Sequence, residues 1–70
     1  MTIQGEITRL EPTLGFGFIR DDRHGEWFFV ESGVRSGGLT TLWVGERVSF
    51  FQDRTPSGPR AVDIHHESAE

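Results

Sequence analysis

Phe16 and Phe18 stand two residues apart in the run Gly15–Ile19, and aromatic rings at this spacing can stack nucleic-acid bases. Side chains of an extended strand alternate between its two faces, so both rings share one face with only a glycine between them. Arg20 falls on the same face, whereas Ile19 falls with the glycines. Two rings on a strand are often simply core, but a face that ends in Arg is expected to be wet. Exposed paired rings are what a base-stacking platform requires.

A second aromatic run, Glu26–Glu31, follows the polar segment Asp21–Gly25. Two strands joined by a short polar loop that contains Gly predict a β-hairpin. In that hairpin Phe28 lies beside the first two rings, and Trp27 and Phe29 point inward. A Glu falls on each face of the second strand, so alternation alone also permits the opposite assignment.

The other polar side chains give no pattern for catalysis or metal binding. His24 falls in a predicted loop, and His65 and His66 fall in a polar tail, with no Cys or carboxylate at ligand spacing. The pair Asp21-Asp22 is typical of turns, and Ser32 is placed to cap a helical turn. We therefore predict no enzyme activity, no metal and no cofactor.

Length and charge limit the possible functions. Seventy residues with no Cys form one small domain without disulfides. No apolar run approaches the ~20 residues of a membrane span, and the start lacks a signal-peptide pattern, so we expect a cytoplasmic protein. Eleven acidic and seven basic residues give a net charge of −4, which argues against a strong phosphate-driven interaction. All the bases are Arg, which can stack on bases as well as pair with phosphates.

Short runs of alternating apolar and polar residues and frequent turn residues predict an all-β chain. A single helical turn is expected at 32–35, and no helix longer than that is predicted. Five short strands with a long connection after the third are typical of a closed or nearly closed barrel. We expect one domain over residues 1–70, with a core at about 3–66 and a fraying tail at 67–70. The predicted strands are Ile3–Leu10, Gly15–Arg20, Glu26–Glu31, Glu46–Asp53 and Arg60–His66. The predicted core comprises Ile3, Ile7, Ile19, Trp27, Phe29, Val48, Phe50, Val62 and Ile64.

The chain resembles the cold-shock domain family. Gly15–Ile19 is similar to the first ribonucleoprotein motif of that family, usually Lys-Gly-Phe-Gly-Phe-Ile, and Glu26–Val30 stands where the second motif is found. Leu42–Phe50 follows the pattern Leu-x-Glu-Gly-Gln-x-Val-x-Phe, and Gly58–Ala61 resembles Gly-Pro-Gln-Ala. The ordered match from Gly5 to Ile64 implies a five-stranded antiparallel OB-fold barrel that binds single-stranded RNA or DNA.

The departures from the family pattern cluster on its binding surface. The first strand, Gly5–Glu11, lacks the family's Lys, Trp and Asn, and Leu14 replaces the Lys before the glycine. Val30 takes the place of a His, and Glu31 and Leu39 stand where many members carry Phe. The three central rings remain, but most flanking stacking and cationic groups are absent.

The resemblance therefore implies a reduced nucleic-acid site. We predict stacking on Phe16, Phe18 and Phe28, with Arg9 and Arg60 placed to stack or to pair with phosphates, and Val30 at the edge. Solvated Arg is the alternative for both guanidinium groups. Three stacked bases supply roughly 3–9 kcal/mol before ordering costs, and a micromolar Kd needs about 8 kcal/mol. We expect weak, sequence-tolerant binding at micromolar affinity or poorer, by a regulator of the cold-shock or RNA-chaperone kind.

Trp43 and Phe51 are large apolar residues at positions where the family usually has polar ones. They are predicted to pack over the barrel as a small cluster or to form a patch for a partner or a weak homodimer. The alternative function is consequently an OB-fold interaction or self-association module whose nucleic-acid surface has decayed.

Overall fold

The computed structural model describes residues 2–35 and 37–67. Five antiparallel strands form one sheet, which confirms the predicted all-β, five-stranded antiparallel architecture. Predicted and observed strand ends agree within two residues. The strands are β1 (Ile3–Glu11), β2 (Phe16–Asp21), β3 (Glu26–Val30), β4 (Arg47–Thr55) and β5 (Gly58–His66).

The strand order in the sheet is β3-β2-β1-β4-β5. Its two end strands approach each other, and the seam between them is joined just beyond β3. Val34 forms a parallel bridge with Ile64, and the Arg35 amide donates to the Ile64 carbonyl at 2.8 Å. The sheet thus wraps around one core as the OB-fold requires.

The core contains most of the predicted residues. Ile7, Ile19, Phe29, Val48, Phe50 and Ile64 are fully buried, and Ile3 and Trp27 are partly buried against them. Leu39, Leu42 and Ala61, which were not predicted, complete the cluster. Gly17 is essential to this packing, because a Cβ there would lie 2.7 Å from both the Arg9 carbonyl and the Phe29 ring.

A β-bulge in β1 changes which of its side chains face outward. Ile7 pairs with Ile19 and Arg9 pairs with Phe18, so Thr8 is the extra residue. The Thr8 hydroxyl donates to the Phe18 carbonyl at 3.4 Å where the ladder is interrupted. As a result, Ile7 before the bulge faces the core, whereas Arg9 after it shares a face with Phe18.

A second irregularity, between β4 and β5, makes the prediction for Val62 wrong. The register shifts between the pairs Ser49–His65 and Phe51–Val62, and Asp63 adopts φ +54°, in the left-handed region. Strict alternation therefore fails at Asp63. Ala61 and Ile64 are fully buried, and Val62 is only partly buried, opposite Phe51.

The β3–β4 connection contains two short 3₁₀ helices, Glu31–Gly33 and Leu39–Thr41. The Glu31 carboxylate accepts a hydrogen bond from the Leu39 amide at 3.3 Å. After β5, Glu67 forms an ion pair with Arg47 at 3.1 Å, and the rest of the predicted tail, 68–70, lies outside the described residues. Within residues 2–35 and 37–67, no helix is long and apolar enough to cross a membrane.

Candidate nucleic-acid interface

Three phenylalanine rings form a compact cluster on the outer face of β2 and β3. The Phe16 ring centroid lies 6.0 Å from that of Phe18 and 5.8 Å from that of Phe28, and the Phe18 and Phe28 centroids are 5.7 Å apart. All three side chains are partly exposed. We call this cluster the phenylalanine platform.

Strand register determines that Phe28 belongs to the platform. Phe18 pairs directly with Phe28, and Gly17 pairs with Phe29, so Phe29 lies inward below the glycine. Trp27 is also on the inner side, where its ring meets Phe50 with centroids 5.3 Å apart. Alternation permitted two orientations of β3, and the structure has the one in which Trp27 and Phe29 face inward and Phe28 faces outward.

The outer face of β3, β2 and β1 is a grid of three rows. The middle row holds Phe28, Phe18 and Arg9, with Arg9 opposite Phe18. The two flanking rows are Val30–Phe16–Glu11 and Glu26–Arg20–Glu6. Aromatic groups therefore occupy one end of the grid, and alternating charges occupy the other.

Two guanidinium groups flank the platform from opposite sides. The Arg9 Cζ lies 5.7 Å from the Phe16 centroid and 6.0 Å from that of Phe18. The Arg60 Cζ, on β5, lies 5.7 Å from the Phe28 centroid. These distances are in the cation–π range, and the structure brings all the predicted cationic residues of the site to the rings.

Carboxylates offset much of this positive charge. Glu11 accepts a hydrogen bond from Arg9 Nε at 2.9 Å, and Arg20 lies in register between Glu6 and Glu26. Glu31 lies beyond β3, and its carboxylate accepts a hydrogen bond from the Leu39 amide of the loop. Charges on this face are nearly balanced, so stacking has to supply most of any binding energy.

Three positions at which the family usually has an aromatic or basic residue differ in their burial here. Val30 is partly buried opposite Phe16. Leu39 is 2% exposed and belongs to the core rather than to the platform. Leu14 is 71% exposed in the β1–β2 loop, where the family's Lys would reach solvent.

The side chain of Asp21 stabilises the β2–β3 loop through hydrogen bonds. Its carboxylate accepts hydrogen bonds from the Trp27 indole N–H and from the Arg23 and Gly25 amides, each at 2.8 Å. The indole bond, followed by the amide bonds, lowers the pKa of Asp21 below its ordinary value. The bidentate Arg47 guanidinium likewise lowers the pKa of Asp22. The two carboxyls thus have separate structural partners, as turn chemistry predicts.

Trp43 and Phe51 have different partners. The Trp43 ring is 60% exposed and its centroid lies 6.0 Å from that of His66. His66 in turn contacts the buried carboxylate of Glu46. Phe51 is partly buried opposite Val62, and an association role for the two aromatic residues stays a prediction.

No group of three or more His, Cys, Asp or Glu side chains within residues 2–35 and 37–67 is arranged to hold a metal ion. Sequence reasoning did not identify Thr8 and Glu26 as parts of the interface. Both line a surface pocket of about 300 Å³ together with Arg9 and Phe18. Glu26 could have been found from its alignment with Phe28 on one face, whereas Thr8 depends on the bulge.

Comparison with known proteins agrees with this geometry. A small OB barrel with an aromatic outer face defines a class of nucleic-acid-binding domains. The family model described as the "'Cold-shock' DNA-binding domain" matches residues 3–66. The chain therefore belongs to the cold-shock domain family, whose members generally bind nucleic acids.

The two cold shock proteins below are similar to this chain over most of their length, whereas the solved structure matches it over about a quarter of its own length. The cold shock protein CspV of Vibrio cholerae is 36% identical, with 86% of this chain and 87% of that protein covered. The major cold shock protein of Streptococcus pyogenes is 33% identical, with 87% and 91% covered. The solved structure "drosophila Unr CSD456" has a TM-score of 0.78 at 27% identity, covering 99% of this chain and 28% of that one.

Proposed function

We propose that the chain is a non-catalytic protein that binds single-stranded RNA or DNA by stacking bases on the phenylalanine platform. The observation that carries the proposal is the triangle of partly exposed rings, with centroids 5.7–6.0 Å apart, on one open sheet face. Every base offers a π-face, so such a surface binds with little dependence on sequence. Weak, reversible coverage of this kind suits a regulator that acts on transcripts as an RNA chaperone.

Substitution of each platform ring tests the proposal. Phe16→Ala, Phe18→Ala and Phe28→Ala should each weaken binding of a labelled pyrimidine heptamer by roughly 1–3 kcal/mol. The fold should survive, because these rings are partly exposed on the outer face. Phe50→Ala is the matched control, since loss of that buried ring should cost about 3–5 kcal/mol of stability. Anisotropy titration and urea unfolding measure the two quantities.

Salt dependence gives a second readout of the same proposal. If Arg9 and Arg60 each neutralise one phosphate, the log–log slope of affinity against salt should be about −1.4. Leu14→Lys adds a cation at an exposed loop position and should steepen the slope to about −2.1. If neither the wild type nor Leu14→Lys binds at low salt, the proposal is wrong.

The second candidate function is a protein-interaction or self-association module. Trp43 and Val44, each 60% exposed, form an apolar tip at the turn before β4. The near-balanced charge of the platform face is also compatible with this function. Absence of nucleic-acid binding together with concentration-dependent association would favour it.

A further inference from the structure

A shallow pocket adjoins the platform and has a polar composition that stacking does not need. It has a volume of about 300 Å³ and is lined by Thr8, Arg9, Phe18 and Glu26. The volume is at the lower end of the ~300–1,000 Å³ of small-ligand sites. A base that stacks on Phe18 would present one of its edges to the other three side chains.

The pocket offers hydrogen-bond acceptors on one side and donors on the other. The exposed Glu26 carboxylate has two acceptor oxygens. The Arg9 guanidinium has five N–H donors, and its bond to Glu11 uses Nε. The Thr8 hydroxyl donates to the Phe18 carbonyl at 3.4 Å, and a hydroxyl oxygen can also accept.

Guanine is the base that matches this arrangement of donors and acceptors most fully. Its Watson–Crick edge carries two neighbouring donors, N1–H and the N2 amino group, which both carboxylate oxygens of Glu26 can accept. Its O6 and N7 are the acceptors that Arg contacts most often. Uracil has one imino donor between two carbonyl oxygens, so a carboxylate would face repulsion beside its single bond. Cytosine and adenine each have one amino group for Glu26.

We infer that the pocket beside Phe18 selects guanine at one position of an otherwise sequence-tolerant strand, with Glu26 as the specificity-determining residue. The inference rests on the proposed function, because it requires a base stacked on Phe18. It goes beyond that function by assigning base preference to one of the three stacking positions.

The alternative explanation is that Glu26 is only part of a cross-strand charge pattern. Arg20 lies in register between Glu26 and Glu6, and both carboxylates are exposed on the same face. Only Glu26 of these two lines the pocket. Glu6 is therefore a matched control, since its loss changes the net charge of the face equally without altering the pocket.

The experiment compares four RNA heptamers, U7 and the three with a single central G, A or C, bound to wild type, Glu26→Gln and Glu6→Gln. The wild type should bind the guanine heptamer about 5- to 10-fold tighter than U7, at the lower end of the range for a bidentate base contact. Glu26→Gln should remove that preference while U7 binding remains. Glu6→Gln should retain the preference.

The outcomes separate this inference from the proposed function. Equal wild-type affinity for all four heptamers would overturn guanine selection and leave platform binding intact. A guanine preference that persists in Glu26→Gln, or that Glu6→Gln removes equally, would also overturn it. Failure of the wild type to bind any heptamer would overturn the proposed function and the guanine site together.

Discussion

Arg9 is the cationic residue of the platform whose availability depends most directly on one neighbour. Its guanidinium lies over two platform rings and is bonded to the Glu11 carboxylate at 2.9 Å. Both side chains are substantially exposed, so the ion pair itself contributes little to stability. Its larger effect is to cancel a charge that a phosphate could otherwise use.

Glu11→Gln should therefore strengthen nucleic-acid binding. We expect about 1.4- to 5-fold tighter binding at low salt, which corresponds to an exposed ion pair of about 0.2–1 kcal/mol. If Glu11 keeps Arg9 from a phosphate in the wild type, the salt slope should steepen by about 0.7, from about −0.7 for Arg60 alone to the value of about −1.4 expected when both residues engage phosphates. Anisotropy titrations over a salt series measure both changes.

Glu67→Gln provides the control for Glu11→Gln. It removes the same charge from an ion pair with Arg47 that is separate from the platform contacts. Its effect on affinity should be small. If the two variants change affinity and slope equally, net charge explains the result and Arg9 has no specific role.

The strands show which parts of the structure can be predicted from sequence. Alternation correctly placed Phe16 and Phe18 together, because β2 is regular throughout. It could not decide the face of β3, since that required the pairing of Phe28 with Phe18. It failed for Val62, because the left-handed backbone at Asp63 interrupts the alternation. Val62 and Ile64 therefore do not share the inner face as a regular strand would require.

Asp63 is the residue on which that change of face depends. Its backbone has φ +54°, and its carboxylate accepts two hydrogen bonds from Arg35 at 2.8 Å. The Arg35 hydrogen bonds also lower the pKa of Asp63. Asp and Asn tolerate the left-handed region better than β-branched residues do. An Asp at position 63 therefore accommodates the left-handed backbone of the bulge and also pairs with Arg35.

Asp63→Val should lower the free energy of unfolding by about 1–3 kcal/mol, because left-handed backbone costs roughly 1–2 kcal/mol and an exposed ion pair is also lost. Asp63→Asn should cost about 1 kcal/mol or less. Asp53→Val, on β4 where φ is negative, is the matched control and should cost less than Asp63→Val. Urea unfolding measures all three, and equal losses for the two valine variants would contradict the role of backbone conformation.

At the scale of the whole molecule, the family motifs predicted more than composition did. Net charge argued against nucleic acid, whereas the ordered motifs predicted the barrel and the platform face. The resemblance placed Arg9 on that face although alternation from Ile7 would have turned it inward. The bulge at Thr8, which shifts the register between Ile7 and Arg9, reconciles the two.

Self-association is the remaining prediction for the whole molecule. Trp43, with 60% of its surface exposed, and Phe51 are expected to support a weak homodimer or a partner contact. Sedimentation over a concentration series should show a shift toward dimer for the wild type and none for Trp43→Ser/Phe51→Glu. Identical monomeric behaviour of both proteins would leave the two residues with a packing role only.

Under the proposed function, the balanced grid of charges around the platform should also affect how quickly a strand arrives and leaves. Without a strong field of one sign, encounters are not electrostatically steered, and association is expected at about 10⁵–10⁶ M⁻¹ s⁻¹. With a micromolar Kd, dissociation then proceeds at about 0.1–1 s⁻¹, so each complex lasts for seconds. Residence on a transcript would therefore be brief, which allows the strand to refold or to be captured by another factor.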